Sequence, residues 1–331
     1  MKIKNPAQVR TRLAEWFTEH GRDLPWRSTH DPYAIMVSEF MLQQTQVATV
    51  IPFYERWLAR FPDFPTLAAA TEAEVLAVWQ GLGYYARARN LHAAAKQVVG
   101  EHAGQLPDDP AAIAKLPGVG RYTIGAIASF AFDLPAAAID ANIARVLARL
   151  LDLHESIDGK TGAAILWKAA EDLLPKTGGR LHTSALMELG ALICTPNKPQ
   201  CLRCPVREQC RATDPELLPI KKARSKTVAM REDCAWIVSG RRILLEQQTG
   251  PRWRGLWKLP ALPEQLRIAE PLTFLTYPFT HHRVSLSVFD FPAPRRLEGT
   301  QQWFLLAELA DVALAAPHRR AIEGVLGRDR P

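Results

Sequence analysis

The chain has 331 residues, 47% hydrophobic and 23% charged, a composition typical of a soluble globular protein with about two domains. The formal net charge is +7, which favours an anionic partner such as nucleic acid. No apolar run is long enough to span a membrane, and the first residues are too polar for a secretory signal. We therefore expect a cytoplasmic protein without membrane contacts, whose five cysteines are reduced.

The first part of the chain, through about residue 193, predicts a helical domain. It is rich in Ala and Leu, and apolar residues recur at spacings of three and four. A helix is predicted to open at Asp140 and to place its apolar residues on one face. Those residues are Ile143, Val146, Leu147 and Leu150.

Two carboxylates within this part have surroundings that suit acid–base chemistry. Glu39 lies in "YAIMVSEFMLQQ", and its apolar neighbours would raise its pKa in a dry pocket, as a proton donor requires. It also shares a helical face with Gln43 and Gln46, which is typical of an ordinary solvent-facing residue. Asp140 precedes a helix, where an N-cap is the simplest role.

A glycine-containing turn follows a short helix predicted in "DPAAIAKL". The stretch "LPGVGRYTIGAIASFAF" places Gly118 and Gly120 at the start of an apolar helix. Both glycines can adopt positive φ, and N–H groups beside a helix N-terminus form a nest for a phosphate oxygen. The pattern predicts a helix-hairpin-helix DNA-binding element, although a plain helix–helix turn has the same signature.

Four cysteines lie within 17 residues, in "CTPNKPQCLRCPVREQC". They are Cys194, Cys201, Cys204 and Cys210. A zinc ribbon would prefer two C-x-x-C pairs, and this loop has one, while four thiolates on a compact loop suit an iron–sulfur cluster. The spacing alone leaves both metals open. Residues 195–226 also carry a net charge of +5, which fits either a phosphate-rich partner or a solvated linker.

The remaining chain changes from helical to strand-like patterns. Short β-branched and aromatic segments, such as "CAWIVSGRRILLEQQ", "LTFLTYPF", "RVSLSVFDF" and "QQWFLL", are separated by Gly and Pro. We predict a helical domain at 1–213 that includes the cysteine loop at 194–210, a linker at 214–230 and a smaller sheet domain at 231–331. Cys234 is expected to be a buried small hydrophobe within a strand.

Together these motifs resemble the MutY-type adenine DNA glycosylases of the endonuclease III superfamily. The match is almost letter for letter in "SEFMLQQTQV" at 38–47 and "GLGYYARARNL" at 81–91, and it is strongest over 24–210. The resemblance implies a mainly α N-terminal helix-hairpin-helix glycosylase domain with an iron–sulfur cluster loop, plus a smaller α+β Nudix (MutT)-like C-terminal domain. It also implies one [4Fe–4S] cluster on the four cysteines.

For function, the resemblance implies a monofunctional glycosylase that excises adenine opposite 8-oxoguanine or guanine in double-stranded DNA. It would be monomeric and act in the bacterial cytoplasm, at the nucleoid. The family assigns Glu39 as the proton donor and Asp140 as the carboxylate beneath the sugar, with Tyr122 and Asn142 orienting them. The endonuclease III type, a pyrimidine-damage glycosylase and lyase, is expected to carry at position 122 a lysine that forms a Schiff base, which a tyrosine cannot do. That enzyme is the alternative activity, and a catalytically inactive cluster-bearing DNA-binding protein is the alternative of another class.

The resemblance further implies residues that contact DNA or the extruded base. These are Trp26, Arg27, Leu42, Gln44, Tyr84, Gly118, Val119, Gly120, Phe279, Thr280 and His281. Three features depart from the family pattern. Ser184 stands where an amide or acid is usual, Thr280 replaces a serine, and the segment after Pro260 lacks the Glu-rich pattern of a Nudix hydrolase. We therefore expect the C-terminal domain to bind 8-oxoguanine without hydrolysing a diphosphate.

Overall fold

A computed structural model describes residues 1–223, 226–266 and 270–327, and their contacts define two compact units. The first unit comprises Met1–Ala69 and Asn90–Ala223. The second combines Ala70–Arg89 with the described residues after position 225. Among the described residues, no helix has the length and apolar character needed to cross a bilayer.

The helices within the described residues are, in chain order, α1 (Pro6–His20), α2 (Pro32–Leu42), α3 (Val47–Arg60), α4 (Phe64–Ala69), α5 (Glu72–Trp79), α6 (Ala86–Glu101), α7 (Pro110–Ile113), α8 (Arg121–Phe132), α9 (Ala141–Leu151), α10 (Lys160–Asp172), α11 (Gly179–Leu192) and α12 (Ala316–Leu326). In the first unit, α11 packs against α1, α8 and α9, while α2 packs against α3 and α8. The predicted helical domain is confirmed.

Helix α9 is buried on every side, whereas the sequence predicts a single apolar face. Every residue from Ile143 to Leu151 is buried, including Arg145 and Arg149. The two arginines are tolerated because their guanidinium groups donate hydrogen bonds to carbonyl groups of neighbouring segments, which compensates for their lost hydration. Helix α9 is therefore a central element of the unit.

The predicted glycine turn joins α7 to α8. Gly118 has φ +77°, and a Cβ there would lie 2.6 Å from the Cβ of Asn90, so only glycine fits. Gly120 has φ −103° and ψ 177° and serves as the N-cap of α8. The expectation of positive φ is thus confirmed for Gly118 and wrong for Gly120, whose backbone is extended.

The second unit contains two small sheets. Its strands are β1 (Val228–Trp236), β2 (Val238–Ser239), β3 (Arg242–Gln247), β4 (Trp257–Lys258), β5 (Thr273–Phe279), β6 (His282–Asp290) and β7 (Gln301–Leu305). One sheet has the order β1-β6-β5, with β1 and β6 parallel. In the other, β3 pairs with β2, β4 and β7, all antiparallel. Helix α12 packs against β5, so the predicted sheet domain is confirmed.

The boundaries of these units differ from the domain limits predicted from sequence. Strand β1 begins at Val228, inside the predicted linker 214–230, because its first residues pair with β6. Residues 70–89 cluster with the sheets, although their helical pattern predicts membership of the N-terminal domain. Cys234 is completely buried in β1, as expected.

Candidate active site

A cavity of about 780 Å³ opens in the first unit, a volume suited to a small molecule or a single base. It brings together many of the residues predicted from sequence. Among its lining residues are Glu39, Tyr122, Asp140, Asn142, Trp26, Arg27, Leu42, Gln44, Gly118 and Gly120. These residues come from separate parts of the chain, and the packing of α2, α8 and α9 assembles them.

Glu39 lies on α2 and is only 3% exposed. Its Oε2 accepts a hydrogen bond of 2.7 Å from the Tyr122 hydroxyl. Burial raises the pKa of Glu39 to about 7, against the Tyr122 hydrogen bond and with help from the negative charge of Asp140. Glu39 is therefore not solvent-facing, although it shares a helical face with Gln43 and Gln46 in the sequence. It holds its proton at much higher pH than an ordinary carboxyl.

Asp140 caps α9 and faces the same cavity as Glu39. Its Oδ1 accepts from the Ile143 N–H at 2.7 Å, and its Oδ2 accepts from Nδ2 of Asn142 at 2.9 Å. Burial raises the pKa of Asp140, but these hydrogen bonds and the charge of Arg145 oppose the rise. Glu39 thus has one hydrogen bond that favours its ionised form, whereas Asp140 has several such groups around it.

A hydrogen-bonded chain connects Asp140 to the cysteine loop, and sequence reasoning missed its central residue. Asn142 bonds Asp140, and Nη2 of Arg145 donates to Oδ1 of Asn142 at 2.8 Å. The same guanidinium donates through Nη2 to the Gly190 carbonyl and through Nε to the Cys194 carbonyl, each at 2.7 Å. The signal available in the sequence was the arginines that interrupt the apolar residues of α9.

Sequence reasoning also missed Glu188, which holds the segment of Trp26 and Arg27 that forms one wall of the cavity. Glu188 is buried on α11 and accepts from the backbone N–H and the guanidinium of Arg22, and from Nη2 of Arg27 at 2.8 Å. Burial would raise the pKa of Glu188, but these hydrogen bonds outweigh it and hold the pKa at about 2. Ser184, also buried on α11, lines the same cavity.

Arg180 also binds the segment that carries Arg27. Its guanidinium donates to the carbonyl oxygens of Arg27 at 2.7 Å, Thr29 at 2.6 Å and Phe130 at 2.7 Å. Five hydrogen-bond donors on a rigid plane suit an arginine to tie several loops together. These partners lie about 50 or about 150 residues away in sequence, so no local pattern predicts them.

The four clustered cysteines come together on one loop, and none forms a disulfide. Burial raises the pKa of Cys204 to about 12, and the thiols of the other three contribute to the rise. Arg149 anchors the loop by donating to the carbonyl oxygens of Cys194, Thr195 and Pro196, and to Sγ of Cys194 at 3.3 Å. Four cysteines on one loop that form no disulfide are a donor set that fits an iron–sulfur cluster, whose ligands are thiolates and can accept hydrogen bonds such as that from Arg149.

The remaining predicted contact residues lie outside the lining of this cavity. Tyr84 is 60% exposed, with φ +48°, on a turn of the second unit. Phe279 is the last residue of β5, and Thr280 and His281 connect it to β6, with φ +51° at Thr280. Val119 lies between the two hairpin glycines, half-buried, and donates its N–H to the Leu116 carbonyl at 3.2 Å.

A different cluster of possible metal ligands occurs within the second unit. One ligand atom each from Glu232, Cys234 and His318 lies within 4.8 Å of the others. However, Oε2 of Glu232 already accepts from the Tyr277 hydroxyl at 2.6 Å and pairs with Arg252 at 3.3 Å. Since a nearby guanidinium repels a cation, the Glu232 carboxylate is better described as the partner of Arg252 and Tyr277 than as a metal ligand.

Comparison with known proteins agrees with this geometry. Residues 37–172 match the sequence profile described as "HhH-GPD superfamily base excision DNA repair protein". An adenine DNA glycosylase of Mus musculus is 44% identical over 219 residues, covering 63% of this chain and 42% of that protein. One of Buchnera aphidicola (subsp. Baizongia pistaciae) is 36% identical over 269 residues, covering 80% of this chain and 75% of that protein.

A solved structure, a thermostable thymine-DNA glycosylase, matches with 30% identity and a TM-score of 0.56, covering 62% of this chain and 95% of that one. The chain therefore belongs to the adenine DNA glycosylase family, within the HhH-GPD superfamily of base excision DNA repair proteins. It spans less than half the length of the mammalian relatives that it matches.

Proposed function

We propose that this protein is a monofunctional DNA glycosylase that hydrolyses the N-glycosidic bond of adenine mispaired with 8-oxoguanine or guanine. The observation that carries the proposal is the cavity in which Glu39, with a pKa raised to about 7, and the hydrogen-bonded Asp140 both lie. Two carboxylates in different protonation states are what glycosidic bond cleavage with acid assistance requires.

The proton comes from Glu39. The adenine anion is a poor leaving group, so a purine nitrogen must be protonated as the bond to the sugar breaks. A carboxyl with a pKa near 7 is protonated often enough at cellular pH, and acidic enough, to act as that donor. Tyr122 binds one carboxyl oxygen of Glu39 and so orients the side chain in the cavity.

Asp140 supplies negative charge beneath the sugar. As the glycosidic bond breaks, positive charge develops on the anomeric carbon, and an ionised carboxylate nearby stabilises it or bonds to it transiently. The hydrogen bonds from Ile143 and Asn142 favour the ionised form of Asp140 and fix its direction. Capping α9 and stabilising the sugar are compatible roles for one side chain.

The target base must leave the duplex before this chemistry can occur. We propose that Tyr84 and Gln44 fill the gap or contact the opposite base, while Trp26 and Arg27 form the wall of the adenine pocket. Leu42 and the Gly118–Gly120 hairpin would contact the strand that carries the extruded nucleoside. Support comes from the exposure of Tyr84 and from the position of the other side chains around the cavity.

Tyr122 also bears on the type of reaction. A lyase of the endonuclease III type requires an amine that attacks the sugar carbon, and a phenol cannot form that imine. Glu39 already accepts a hydrogen bond from the Tyr122 hydroxyl, which makes Tyr122 part of the acid–base arrangement. We therefore propose base removal without strand cleavage.

Cys194, Cys201, Cys204 and Cys210 would hold one [4Fe–4S] cluster. When bound, the cluster joins the four thiolates and gives the loop a rigid core. Basic side chains on this loop would then be fixed towards DNA phosphates, as the charge of +7 favours. Arg149 contributes by holding the carbonyl groups around Cys194.

We propose that the second unit has a Nudix-like fold kept for binding, in which Phe279, Thr280 and His281 recognise 8-oxoguanine. The two exposed residues of the turn, Thr280 and His281, are available to a partner base. The Thr280 hydroxyl also lies 3.4 Å from Nδ1 of His282, which holds it in place. The protein would work as a monomer on double-stranded DNA in the bacterial cytoplasm.

The decisive assay measures base release from duplexes that carry adenine opposite 8-oxoguanine, guanine, cytosine or thymine. One aliquot receives no alkaline treatment, so that strand cleavage by the protein itself is visible. We expect adenine release opposite 8-oxoguanine and guanine, and an intact strand before alkali. Efficient borohydride trapping of a covalent complex between the protein and DNA with damaged pyrimidines would instead establish the glycosylase/lyase alternative.

Two variants test the assigned roles. Glu39→Gln and Asp140→Asn are each expected to abolish adenine release while duplex binding persists. Glu55→Gln, on the exposed side of α3, is the matched control and should retain full turnover. Unchanged turnover in either cavity variant would reject the roles, and the absence of turnover in the wild type would favour a purely DNA-binding protein.

A further inference from the structure

The turn that carries Tyr84 belongs to the same compact unit as the 279–281 turn. Residues 70–89 cluster with the C-terminal part of the chain, while the catalytic cavity is lined by residues of the other unit. In the proposed function, the Tyr84 turn enters the duplex and the 279–281 turn reads the base opposite adenine. Because both turns belong to one unit, contacts within that unit can connect them.

The first connection runs through the loop 252–255. Nη1 of Arg89 donates a hydrogen bond of 2.8 Å to the Arg254 carbonyl. The next residue, Gly255, has φ +81°, and a Cβ there would lie 3.2 Å from Oε1 of Glu72 and 3.3 Å from Cδ1 of Leu76. The loop therefore lies directly against α5, which leads into the Tyr84 turn.

A second connection involves the amide of Gln80, at the C-terminal end of α5. Its Nε2 donates to the Leu314 carbonyl at 3.3 Å, and its Oε1 accepts from Nη2 of Arg319 at 3.2 Å. Arg319 in turn donates to the carbonyl oxygens of Leu309 and Val312. Both polar ends of Gln80 are thus bound by the C-terminal part of the unit.

The loop 252–255, which accepts the hydrogen bond from Arg89, also packs against the 279–281 turn, called the reading turn below. The Trp253 ring lies 6.2 Å from the ring of Phe279, centroid to centroid, and the Arg252 guanidinium lies 4.5 Å from the Phe279 ring. Trp253 also contacts Tyr277 and His318. A continuous series of packed groups therefore leads from Phe279 through the loop to Arg89 and α6, which begins just after Tyr84.

We propose that Gln80 and Arg89 are positioning residues that couple recognition by the 279–281 turn to insertion of the Tyr84 turn. The inference rests on the proposed function. With the connection intact, seating of 8-oxoguanine on the reading turn fixes the loop 252–255, and the loop fixes the Tyr84 turn. Gln80 and Arg89 thereby determine the opposite-base preference without contacting either base.

The test uses the full chain with the double substitution Gln80→Ala/Arg89→Ala. A matched control, Lys96→Ala/Gln97→Ala, removes a cation and an amide further along α6. Single-turnover adenine release is measured on duplexes that differ only in 8-oxoguanine or guanine opposite adenine. We expect the preference for 8-oxoguanine to fall roughly fivefold, the lower range for coupled sites, with the guanine duplex within about twofold of wild type. The control should keep the wild-type preference, and Arg89→Lys should restore part of it.

A second measurement does not depend on catalysis. Hydrogen exchange of the free proteins should show faster exchange at residues 81–85 in the double variant and no change along α2. A folded double variant with wild-type exchange and wild-type preference would overturn the proposal. If the double variant does not fold, Arg89→Ala alone is subject to the same two criteria. If the wild type releases no adenine, the proposed function fails, whereas the exchange comparison still decides whether the connection exists.

Discussion

The Tyr122 hydroxyl donates a 2.7 Å hydrogen bond to Oε2 of Glu39, which joins α8 to α2 across the cavity. Burial favours the protonated form of Glu39, and this hydrogen bond favours the ionised form. Because the effect of burial is larger than that of the hydrogen bond, the pKa of Glu39 is raised to about 7, and the carboxyl changes its protonation state near the pH of a cell.

The first prediction concerns the pH dependence of adenine release. If protonated Glu39 is the donor, the single-turnover rate should be level below pH 7 and fall about tenfold per pH unit above it. Tyr122→Phe removes the hydrogen bond that lowers the pKa, so it should move the alkaline fall to higher pH. Rates measured from pH 5.5 to 9 would show this, and a shift to lower pH would contradict it.

The second prediction concerns stability. The unfolded chain loses the Glu39 proton near pH 4.5, while the folded protein keeps it until about pH 7. The folded state therefore binds more protons in this interval, and its stability falls as the pH rises, by about 3 kcal/mol in all. Glu39→Gln should raise the free energy of unfolding at pH 8 and have much less effect at pH 4.5. Denaturant titrations at both pH values, with Glu55→Gln as control, would test it.

The third prediction concerns Arg149 and the cysteine loop. This side chain is 1% exposed and donates to carbonyl groups at Cys194, Thr195, Pro196 and Leu218. Arg149→Met should leave the carbonyl groups of Thr195, Pro196 and Leu218 without these hydrogen bonds, at a cost of roughly 3 kcal/mol or more in stability. We expect a lower content of iron and sulfide in the purified protein and a lower Tm.

The control for that experiment is Arg203→Ala, since Arg203 is exposed on the same loop. It should retain the iron content and the Tm of the wild type. Equal iron content in the Arg149 and Arg203 variants would contradict the anchoring role of Arg149.

The fourth prediction concerns Thr280, a β-branched residue with φ +51°. A side chain of this kind is strained in the left-handed region, and glycine is not. Thr280→Gly should therefore stabilise the fold by up to about 1 kcal/mol while reducing the preference for 8-oxoguanine, because the hydroxyl is lost. Thermal unfolding and the paired duplex assay measure the two effects. A destabilised variant, or one with full preference, would argue against the strained turn as a reading element.

Several elements could be predicted from sequence because their signals are local. The N-cap at Asp140 follows from an aspartate before an apolar helix, and the turn at Gly118 follows from glycines between two helices. The strands of the second unit follow from alternating β-branched and aromatic residues. In each case the physical cause acts over a few neighbouring residues, so the pattern contains it.

Other features depend on which segments meet in space. Glu39 shares its sequence pattern with solvent-facing glutamates, and only the packing of α8 on α2 removes it from water. The pair of Arg22 and Glu188 joins residues 166 apart, and the hydrogen bond from Arg89 to the Arg254 carbonyl joins residues 165 apart. Sequence determined the residue types able to carry the chemistry and the local turns that present them. Tertiary structure decided which of them are desolvated and paired, because burial and charge interactions depend on distance in space, which spacing along the chain does not set.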